Sequence, residues 1–584
     1  MTTEPKPSAN GATPPPVGDD DSSWVEDRTG AVVNTAFIAA AMSIAGRPPV
    51  RDAVALVRKV AKRPSIAVEP ARSMIVESGR ILAGVSELEP WRGDRRYADK
   101  AWRTNPFLKR LAQVHAAVAQ AAREVVDGAE LDPITDYRMH LTALNASEAL
   151  SPANVFLLNP TALKAMLDTG GGSVLRGSTR FVHDMRRPPR LPARSDPGDF
   201  ELGTEIAATA GAVIGRSRMF ELIQYRERTK RVHTEPVLIV PSVVNKYYLT
   251  DMSPGRSLVE HVIRNGRQVF SLSWVNPHEE HRDEGLDAYV ASIIRAIEAV
   301  RSVSGSERVH LLGVCAGGQL ASLAVARLAA EKDGQEQIGS LSLLVCALDY
   351  ATSRLPQRLL DDQAAEVALG PVLRRGYVDG RNLTAALAWL RPNDAVWWPW
   401  MLRYLVATDM PKLDLFQWSE DVTNITAAFV RDQLEITRKN SLVEPGGLRV
   451  LDEPVDLGAV NVDAYVVAGR IDHLTPWEAC YRATDLLGSK SRFVLVDGGH
   501  IQSILRPPGE RIIPFFHGSG DAREPDEWLE GAEVADRSWW DDWVEWLDAR
   551  NPEDRGPRRK LGNALHPVLE PAPGTYVRRR LDQA

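Results

Sequence analysis

The amino-acid sequence predicts an α/β protein in which helices cover a mainly parallel sheet. The first observation is a series of short apolar segments from about residue 206 onward: PVLIVPSVV, QVFSLSW, RVHLLGV, LSLLVCA, VDAYVVA and RFVLVD. Helix-length stretches separate them, which is typical of strands buried on both faces. The second observation is a glycine-rich hexapeptide, residues 313–318, between one of these segments and an Ala- and Leu-rich stretch. This order predicts a strand, a sharp turn and a helix.

The hexapeptide GVCAGG places Cys315 where a nucleophile stands in the G-x-S-x-G elbow. Glycines flank that position because the turn is strained and the following helix packs closely on the sheet. A thiol in place of the hydroxyl forms thioesters, so the elbow predicts transfer of acyl groups held on sulfur. Taken alone, a buried packing cysteine is the alternative interpretation.

Two later segments supply the partners that a cysteine nucleophile needs. Asp472 follows the predicted strand VDAYVVA, and His500 follows RFVLVD in a loop that contains Gly498 and Gly499. The order nucleophile, acid, histidine is that of the α/β-hydrolase fold and differs from the orders in serine proteases. The sequence therefore predicts an α/β-hydrolase fold with the catalytic residues Cys315, Asp472 and His500.

Two backbone N–H groups are predicted to bind the oxyanion of an acyl-transfer intermediate. The elbow supplies that of Ala316, the residue after the nucleophile. The second should come from the loop after an earlier strand, residues 241–245, where Val244 is the candidate. A purely structural role for Val244 is the alternative.

The chain divides into four predicted parts. Residues 1–30 are rich in Pro, Ser, Asp and Gly and predict a disordered tail without a secretion signal. Residues 31–205 predict a mainly helical N-terminal domain, and residues 206–584 the α/β catalytic domain. The stretch between the strands ending near residue 347 and starting near residue 462 is too long for one crossover, which predicts a cap insertion at about 350–455.

Composition and motifs exclude several function classes. The net charge of −7 offers no footprint for nucleic acid, and no apolar segment favours a membrane span. Three cysteines cannot form a disulfide framework; Cys346 and Cys480 are predicted to be packing residues. No phosphate-binding glycine loop follows a strand, and the sequence His278–His281 lacks the spacing of a zinc helix, so no metal is expected.

Several separated segments together resemble one family, the poly(3-hydroxyalkanoate) synthases: YADKAWRTNPFLKRL, SPANVFLLNPTALKAMLDTGG, FELIQY, NKYYLTDMSPGRSLV, LRPNDAVW, GVCAGG, IDHLTPWEACYRA and GHIQSILRPPGE. The resemblance runs from about residue 50 to the end. The chain resembles the single-polypeptide classes of the family, and its local sequence is more similar to the medium-chain class.

The resemblance implies a polymerase that builds polyester from (R)-3-hydroxyacyl-CoA and releases CoA. CoA enters with the substrate, so no cofactor is expected. The resemblance also implies a homodimer in the cytoplasm at the surface of polyester granules. Cys315, Asp472 and His500 each stand inside a matching motif. His500 would take the proton from Cys315, and Asp472 would orient His500 and help to activate the hydroxyl that extends the chain.

This sequence departs from the family pattern at two places. Val275 stands where the family more often has arginine, and Trp397, Trp398 and Trp400 replace a more polar run in the predicted cap. These changes affect the expected acyl specificity and leave the predicted triad intact. Two other functions stay open at this point: a thioesterase or hydrolase of the same fold, and a non-catalytic granule-associated protein.

Overall fold

The computed structural model describes residues 50–195, 198–351, 362–472, 474–509, 512–557 and 560–581. The predicted tail at 1–30 therefore lies outside the described residues. One large mixed sheet organises the described chain. Its strands are β1 Gly211–Arg216, β2 Phe220–Tyr225, β3 Val237–Val240, β4 Val269–Trp274, β5 Val309–Val314, β6 Ile338–Leu344, β7 Ala464–Gly469, β8 Ser491–Val496, β9 Phe515–Ser519, β10 Glu533–Ala535 and β11 Glu570–Pro571.

The centre of the sheet is parallel and its two sides are antiparallel. The order is β10-β9-β8-β7-β6-β5-β3-β4-β2-β1-β11. Parallel pairing joins β4, β3, β5, β6, β7 and β8 in that order, and the outer strands pair antiparallel. Every residue of β2, β3, β4, β5 and β7 is buried, so helices and loops cover both faces there. The predicted α/β fold class is confirmed.

The six apolar segments of the sequence all form strands of this sheet, β3 to β8. The outer strands had no such signal. β2 has the mixed sequence FELIQY, and β11 has two residues, of which one is proline. β11 is a two-residue edge strand, too short to show a pattern. β2 is buried and paired on both sides, but Glu221 and Gln224 interrupt its apolar run.

Seven helices precede the sheet among the described residues, as the mainly helical composition predicted: α1 Val50–Lys62, α2 Ser65–Ala83, α3 Ala101–Thr104, α4 Pro106–Asp127, α5 Pro133–Ala149, α6 Pro160–Asp168 and α7 Gly172–Met185. The start of α4 shows why these segments are helical. The Asn105 side chain accepts hydrogen bonds from the N–H groups of Phe107 and Leu108, and Pro106 occupies the first turn. Both features favour a helix N-terminus.

The remaining helices are α8 Leu258–Arg264, α9 Leu286–Ser304, α10 Ala316–Ala329, α11 Asp362–Arg375, α12 Gly380–Leu390, α13 Trp398–Trp400, α14 Asp414–Glu420, α15 Ala427–Lys439, α16 Trp477–Tyr481, α17 Ala483–Leu486, α18 His500–Ile504, α19 Pro525–Gly531 and α20 Trp539–Asp548. Helices α11 to α15 lie between β6 and β7, in the stretch predicted as the cap. Two π-helical segments, Asn393–Trp397 and Met401–Val406, flank α13.

The N-terminal helices and the cap stretch are in direct contact through α7. A Cβ atom on Gly177 of α7 would lie 1.9 Å from the carbonyl oxygen of Tyr404, so only glycine allows this approach. Arg403 Nε donates to Asp184 Oδ2 at 2.6 Å, and Tyr404 Oη donates to the same oxygen at 2.9 Å. The three side chains are buried. This ion pair and hydrogen bond fix α7 against the cap.

Two tryptophans of the cap stretch lie at the same contact. Trp397 and Trp400 have ring centroids 5.7 Å apart, and Trp400 lies 5.7 Å from Phe181 of α7. An aromatic cluster therefore packs the cap against the N-terminal helices. No helix among the described ranges is both long and apolar enough to span a bilayer.

Candidate active site

Cys315 lies at a sharp turn between β5 and α10. Its backbone has φ 54° and ψ −118°, a conformation that residues other than glycine rarely adopt. Its N–H donates to the carbonyl oxygen of Leu344 on the neighbouring strand β6 at 2.9 Å, and its carbonyl oxygen accepts from Gly318 at 2.8 Å. The structure thus has the strained strand–turn–helix geometry of a nucleophile elbow.

Three glycines make this turn possible. A Cβ atom on Gly313 would lie 2.4 Å from the Cα of Gly318, and one on Gly317 would lie 2.2 Å from the carbonyl oxygen of Val240. A Cβ atom on Gly318 would lie 2.8 Å from Cys346 Sγ. These distances are too short for any side chain, so the elbow (residues 313–318) depends on glycine at all three positions.

His500 and Asp472 form the second half of the site. Asp472 lies in the loop after β7, which ends at Gly469. His500 is the first residue of α18, after Gly499. His500 Nδ1 and Asp472 Oδ2 are 2.6 Å apart. Both residues are buried, with 3% and 5% of their surface exposed. Because Nδ1 is engaged by Asp472, Nε2 is the ring nitrogen left for Cys315, to which His500 also hydrogen-bonds.

His500 and Asp472 each shift the pKa of the other. Burial alone would lower the pKa of His500, but the charges of Asp472 and Cys315 and hydrogen bonds to both raise it to about 10. Burial alone would raise the pKa of Asp472, but the positive charge of His500 and the hydrogen bonds it accepts lower it below the usual value. The carboxylate of Asp472 therefore stabilises the positive charge that the imidazole of His500 carries once it has taken a proton.

Thr475 is a member of this group that the sequence did not reveal. Its hydroxyl donates to Asp472 Oδ2 at 2.6 Å and lies 3.2 Å from His500 Nδ1. The N–H groups of Leu474 and Thr475 donate to Asp472 Oδ1 at 2.8 and 3.1 Å. Thr475 stood inside the motif IDHLTPWEACYRA, but nothing in its residue type distinguished it there. The carboxylate is thus fixed by its own loop.

The candidate oxyanion donors lie on two neighbouring loops. Ala316 is the first residue of α10, so its N–H has no partner within the helix. Val244 lies in the loop after β3, which pairs with β5. We call residues 241–246 the oxyanion loop. The N–H of Val244 lies 3.3 Å from Ser242 Oγ, a long contact, and its carbonyl oxygen accepts from the Thr423 side chain at 2.8 Å. The role of Val244 as a donor stays a prediction.

A buried amide network lies one helical turn beyond Cys315. Gln319 of α10 and Gln433 of α15 exchange two hydrogen bonds through their amides, at 3.0 and 2.8 Å. Tyr350 Oη donates to Gln319 Oε1 at 3.0 Å. All three side chains are buried. The network connects α10 to α15, the last helix of the cap stretch, and sequence patterns gave no sign of it.

The other two cysteines are buried near the site and have no catalytic partner of this kind. Cys346 packs on Gly318, and Cys480 Sγ lies 3.7 Å from the carbonyl oxygen of Thr475. Burial raises the pKa of both thiols well above the usual value. Among the described residues, no group of three or more His, Cys, Asp or Glu side chains could hold a metal ion.

Comparison with known proteins identifies the family. Residues 93–262 match the family described as "Poly-beta-hydroxybutyrate polymerase (PhaC) N-terminus", and residues 236–507 match the alpha/beta hydrolase fold, which confirms that predicted fold.

Three relatives cover most of the chain. Poly(3-hydroxyalkanoate) polymerase 2 of Ectopseudomonas oleovorans is 39% identical, over 85% of this chain and 89% of its own length. Polymerase 1 of the same organism is 34% identical over 94% and 97%. The polymerase subunit PhaC of Cupriavidus necator is 36% identical over 83% of each chain. The chain therefore belongs to the poly(3-hydroxyalkanoate) polymerase family, whose members are acyltransferases.

Proposed function

We propose that this chain joins (R)-3-hydroxyacyl groups from their CoA thioesters into a polyester and releases CoA, with Cys315 carrying the acyl group. One observation supports this most strongly: Cys315 lies at a strained turn, buried, and hydrogen-bonded to the His500–Asp472 pair. A buried thiol with a base beside it is the arrangement that covalent acyl transfer requires. The names of the relatives support the product class.

The first half-reaction loads the enzyme. His500 Nε2 takes the proton of the Cys315 thiol, and the thiolate attacks the thioester carbonyl carbon of the substrate. The oxyanion that forms is bound by the N–H groups of Ala316 and Val244. When the intermediate collapses, the bond to the CoA sulfur breaks, and CoA leaves with the proton from His500. The acyl group is now a thioester of Cys315.

The second half-reaction extends the polymer. His500 takes the proton of a 3-hydroxyl group, whose oxygen attacks the carbonyl carbon of an acyl thioester. An ester bond forms, the carbon–sulfur bond breaks, and the released sulfur takes the proton. Asp472 orients the imidazole and stabilises its positive charge in both halves.

Burial favours a hydroxyl acceptor over water. Cys315 is 5% exposed and His500 is 3% exposed. Helix α15 of the stretch between β6 and β7 contacts α10, the helix that follows Cys315, through Gln433 and Gln319. A closed site excludes water from a reactive thioester. Hydrolysis to free hydroxy acid is the second candidate, and the experiment below separates the two.

The N-terminal helices support a location at the surface of polyester granules in the cytoplasm. Leu150, Leu157, Leu167 and Leu175 are each at least 73% exposed. Covering exposed apolar side chains with an apolar material lowers the free energy, and the growing polyester is itself apolar. A chain with Leu167→Gln and Leu175→Gln should co-sediment with polyester severalfold less while its CoA release stays unchanged. We also expect a homodimer, which light scattering of the purified protein tests.

The main experiment supplies (R)-3-hydroxybutyryl-CoA and (R)-3-hydroxydecanoyl-CoA separately, and measures free CoA and extractable polyester. CoA release with polyester supports the proposal, and the faster substrate assigns the chain-length class, for which the decanoyl thioester is expected. CoA release with soluble hydroxy acid alone contradicts it and identifies a thioesterase. No release from either substrate also contradicts it.

The matched control compares two buried cysteines. Cys315→Ala should abolish both CoA release and the acyl-enzyme adduct seen by mass spectrometry. Cys346→Ala removes a thiol of similar burial beside the elbow and should retain both.

A further inference from the structure

The C-terminal segment lies against the loops that follow β3 and β4. We call residues 574–581 the C-terminal strap. The N–H groups of Thr575 and Tyr576 donate to Glu221 Oε2 at 3.1 and 2.9 Å, and Tyr576 Oη donates to the carbonyl oxygen of Ser217 at 2.7 Å. Tyr576 and Val577 are buried. The strap is therefore docked on the sheet through Tyr576 and Val577, whereas the residues 578–580 are exposed.

One side chain connects the strap to the oxyanion loop. Lys246 is the last residue of that loop and is only 4% exposed. Its ammonium group donates to the carbonyl oxygens of Arg579 at 2.7 Å and of Tyr576 at 3.4 Å. Burial lowers the pKa of Lys246, and the carboxylate of Asp421 opposes that effect. A buried charge is strongly unfavourable without such partners, so Lys246 and the strap depend on each other.

The strap also contacts the next loop. Asn276, which lies just beyond β4, donates through Nδ2 to the carbonyl oxygen of Arg580 at 3.4 Å, and its Oδ1 accepts from the N–H of Asn424 at 2.9 Å. Asn276 is fully buried. The strap thus bridges two loops at the carboxyl edge of the sheet, where the elbow also lies.

The cap stretch also holds the oxyanion loop. The Thr423 hydroxyl donates to the carbonyl oxygens of Val243 and Val244 at 3.1 and 2.8 Å, and Trp418 Nε1 donates to that of Lys246 at 2.9 Å. These contacts restrain the main chain of the loop from one direction. Trp274 of β4 donates through Nε1 to the carbonyl oxygen of Pro241 at 2.9 Å, and Lys246 adds the contact with the strap.

We infer that Lys246 is a positioning residue for acyl transfer, which holds the oxyanion loop in place by binding the main-chain carbonyls of the C-terminal strap. The inference rests on the proposed function, because the oxyanion arises only in acyl transfer. Oxyanion donors act over a narrow range of distances, about 2.7–3.1 Å, so a loop that shifts by a fraction of an ångström loses rate. Lys246 touches no reacting atom in this scheme.

The test compares three chains with the wild type. Lys246→Met keeps the length of the side chain and removes its charge and donors. Lys246→Arg keeps both. A chain ending at Pro573 removes the strap. Lys439→Met, on the exposed face of the cap helix α15, is the matched control. The readouts are kcat and KM for CoA release. Each kcat is divided by the fraction of enzyme molecules that carry an acyl group on Cys315, which gives kcat per acylated site.

Lys246→Met should lower kcat per acylated site about tenfold or more and change KM less than about threefold, because ground-state binding is untouched. Lys246→Arg should recover at least half of the rate, and Lys439→Met should behave as wild type. Combining Lys246→Met with the truncation should lower kcat no further than the truncation alone, since the truncation already removes the carbonyl partners of Lys246. An unchanged kcat per acylated site in Lys246→Met, or effects that multiply, would overturn the inference.

Hydrogen exchange separates this inference from the proposed function. Amides of residues 242–246 should exchange faster in Lys246→Met than in wild type, and those of the β5 strand should not. This readout needs no substrate. Faster exchange in a protein that releases no CoA would leave the loop contact supported and contradict the proposed function alone, whereas unchanged exchange would contradict the inference alone. The readout still applies if the truncated chain fails to fold, because Lys246→Met keeps the whole strap.

Discussion

The elbow and the oxyanion loop lie side by side at the carboxyl edge of the sheet, yet they are held in different ways. The glycines of the elbow are required by close main-chain contacts within the elbow or with an adjacent strand. Gly313 lies against Gly318, and Gly317 lies against Val240. The oxyanion loop is held by side chains far away in sequence, Thr423, Trp418 and, through Lys246, the strap. A locally specified turn can be recognised as a motif, whereas a loop fixed by distant residues cannot.

Asp472→Asn measures the rate that the elbow and the oxyanion loop support without the charge of Asp472 beside His500. Of the variants compared, it should have the largest effect on kcat. An amide keeps the shape of the carboxylate but removes its charge from His500, so kcat should fall about 10³- to 10⁴-fold. The pKa of His500, about 10 in the wild type, should fall, because Asp472 is one cause of its elevation. The imidazolium is present below that pKa, so ¹⁵N NMR should show it lost at lower pH in the variant.

The control for that change is Asp526→Asn on α19, where the side chain is exposed. It should leave kcat within about twofold of wild type, as surface substitutions generally do. A small effect of Asp472→Asn on kcat would contradict the assigned role of the His500–Asp472 pair.

Gly317→Ala breaks the contact between the elbow and the oxyanion loop. The added Cβ would lie 2.2 Å from the carbonyl oxygen of Val240 and 2.5 Å from that of Pro241, both of them main-chain atoms. We expect a loss of about 2–4 kcal/mol in the free energy of unfolding, as for other substitutions that force backbone shifts, and a fall in kcat of about a hundredfold. Denaturant unfolding and CoA release measure the two effects.

Gly79→Ala on α2 is the matched glycine control, since no atom lies within 4 Å of its added Cβ. It should be neutral or raise the free energy of unfolding by about 0.5–1 kcal/mol. Equal effects of the two alanines would show that the elbow can relax.

Thr423→Val loosens the oxyanion loop from the cap side and should have a smaller effect. It removes the hydroxyl that donates to Val243 and Val244 but keeps the Thr423 N–H bond of 3.2 Å. Since about 1 kcal/mol is typical for one hydrogen bond, kcat should fall about five- to tenfold. Thr179→Val, at an exposed position on α7, is the control. An unchanged kcat in Thr423→Val would show that the Thr423 hydroxyl is not needed to hold the oxyanion loop in place.

Cys346→Ala should have the smallest effect of the four on rate. The thiol is buried against Gly318, so its removal leaves a small cavity and lowers the free energy of unfolding by about 1–2 kcal/mol. The rate per site should stay within about twofold because Cys315 and the His500–Asp472 pair are unchanged. Loss of the acyl adduct in this variant would contradict the assignment of Cys315 as its carrier.

Sequence patterns predicted the parallel centre of the sheet and the placement of three separated residues at its carboxyl edge. The six apolar segments became β3 to β8, and the structure brings His500 into contact with Asp472 and Cys315. One detail differed: His500 was expected in a loop, but it begins α18, because Gly499 acts as the N-cap of a short helix. Such short helices carry too few residues for a periodic pattern.

The sequence by itself determined the elbow, the order of the triad and the strands that carry it, because strand burial and glycine requirements are local properties of a segment. Only the tertiary structure decided that α7 locks the cap through Asp184 and Arg403, that Gln319 pairs with Gln433, and that Lys246 binds the C-terminal strap. Each of these contacts joins residues more than a hundred positions apart, so the partner of each buried polar group is fixed by the three-dimensional arrangement and leaves no pattern in the chain around it.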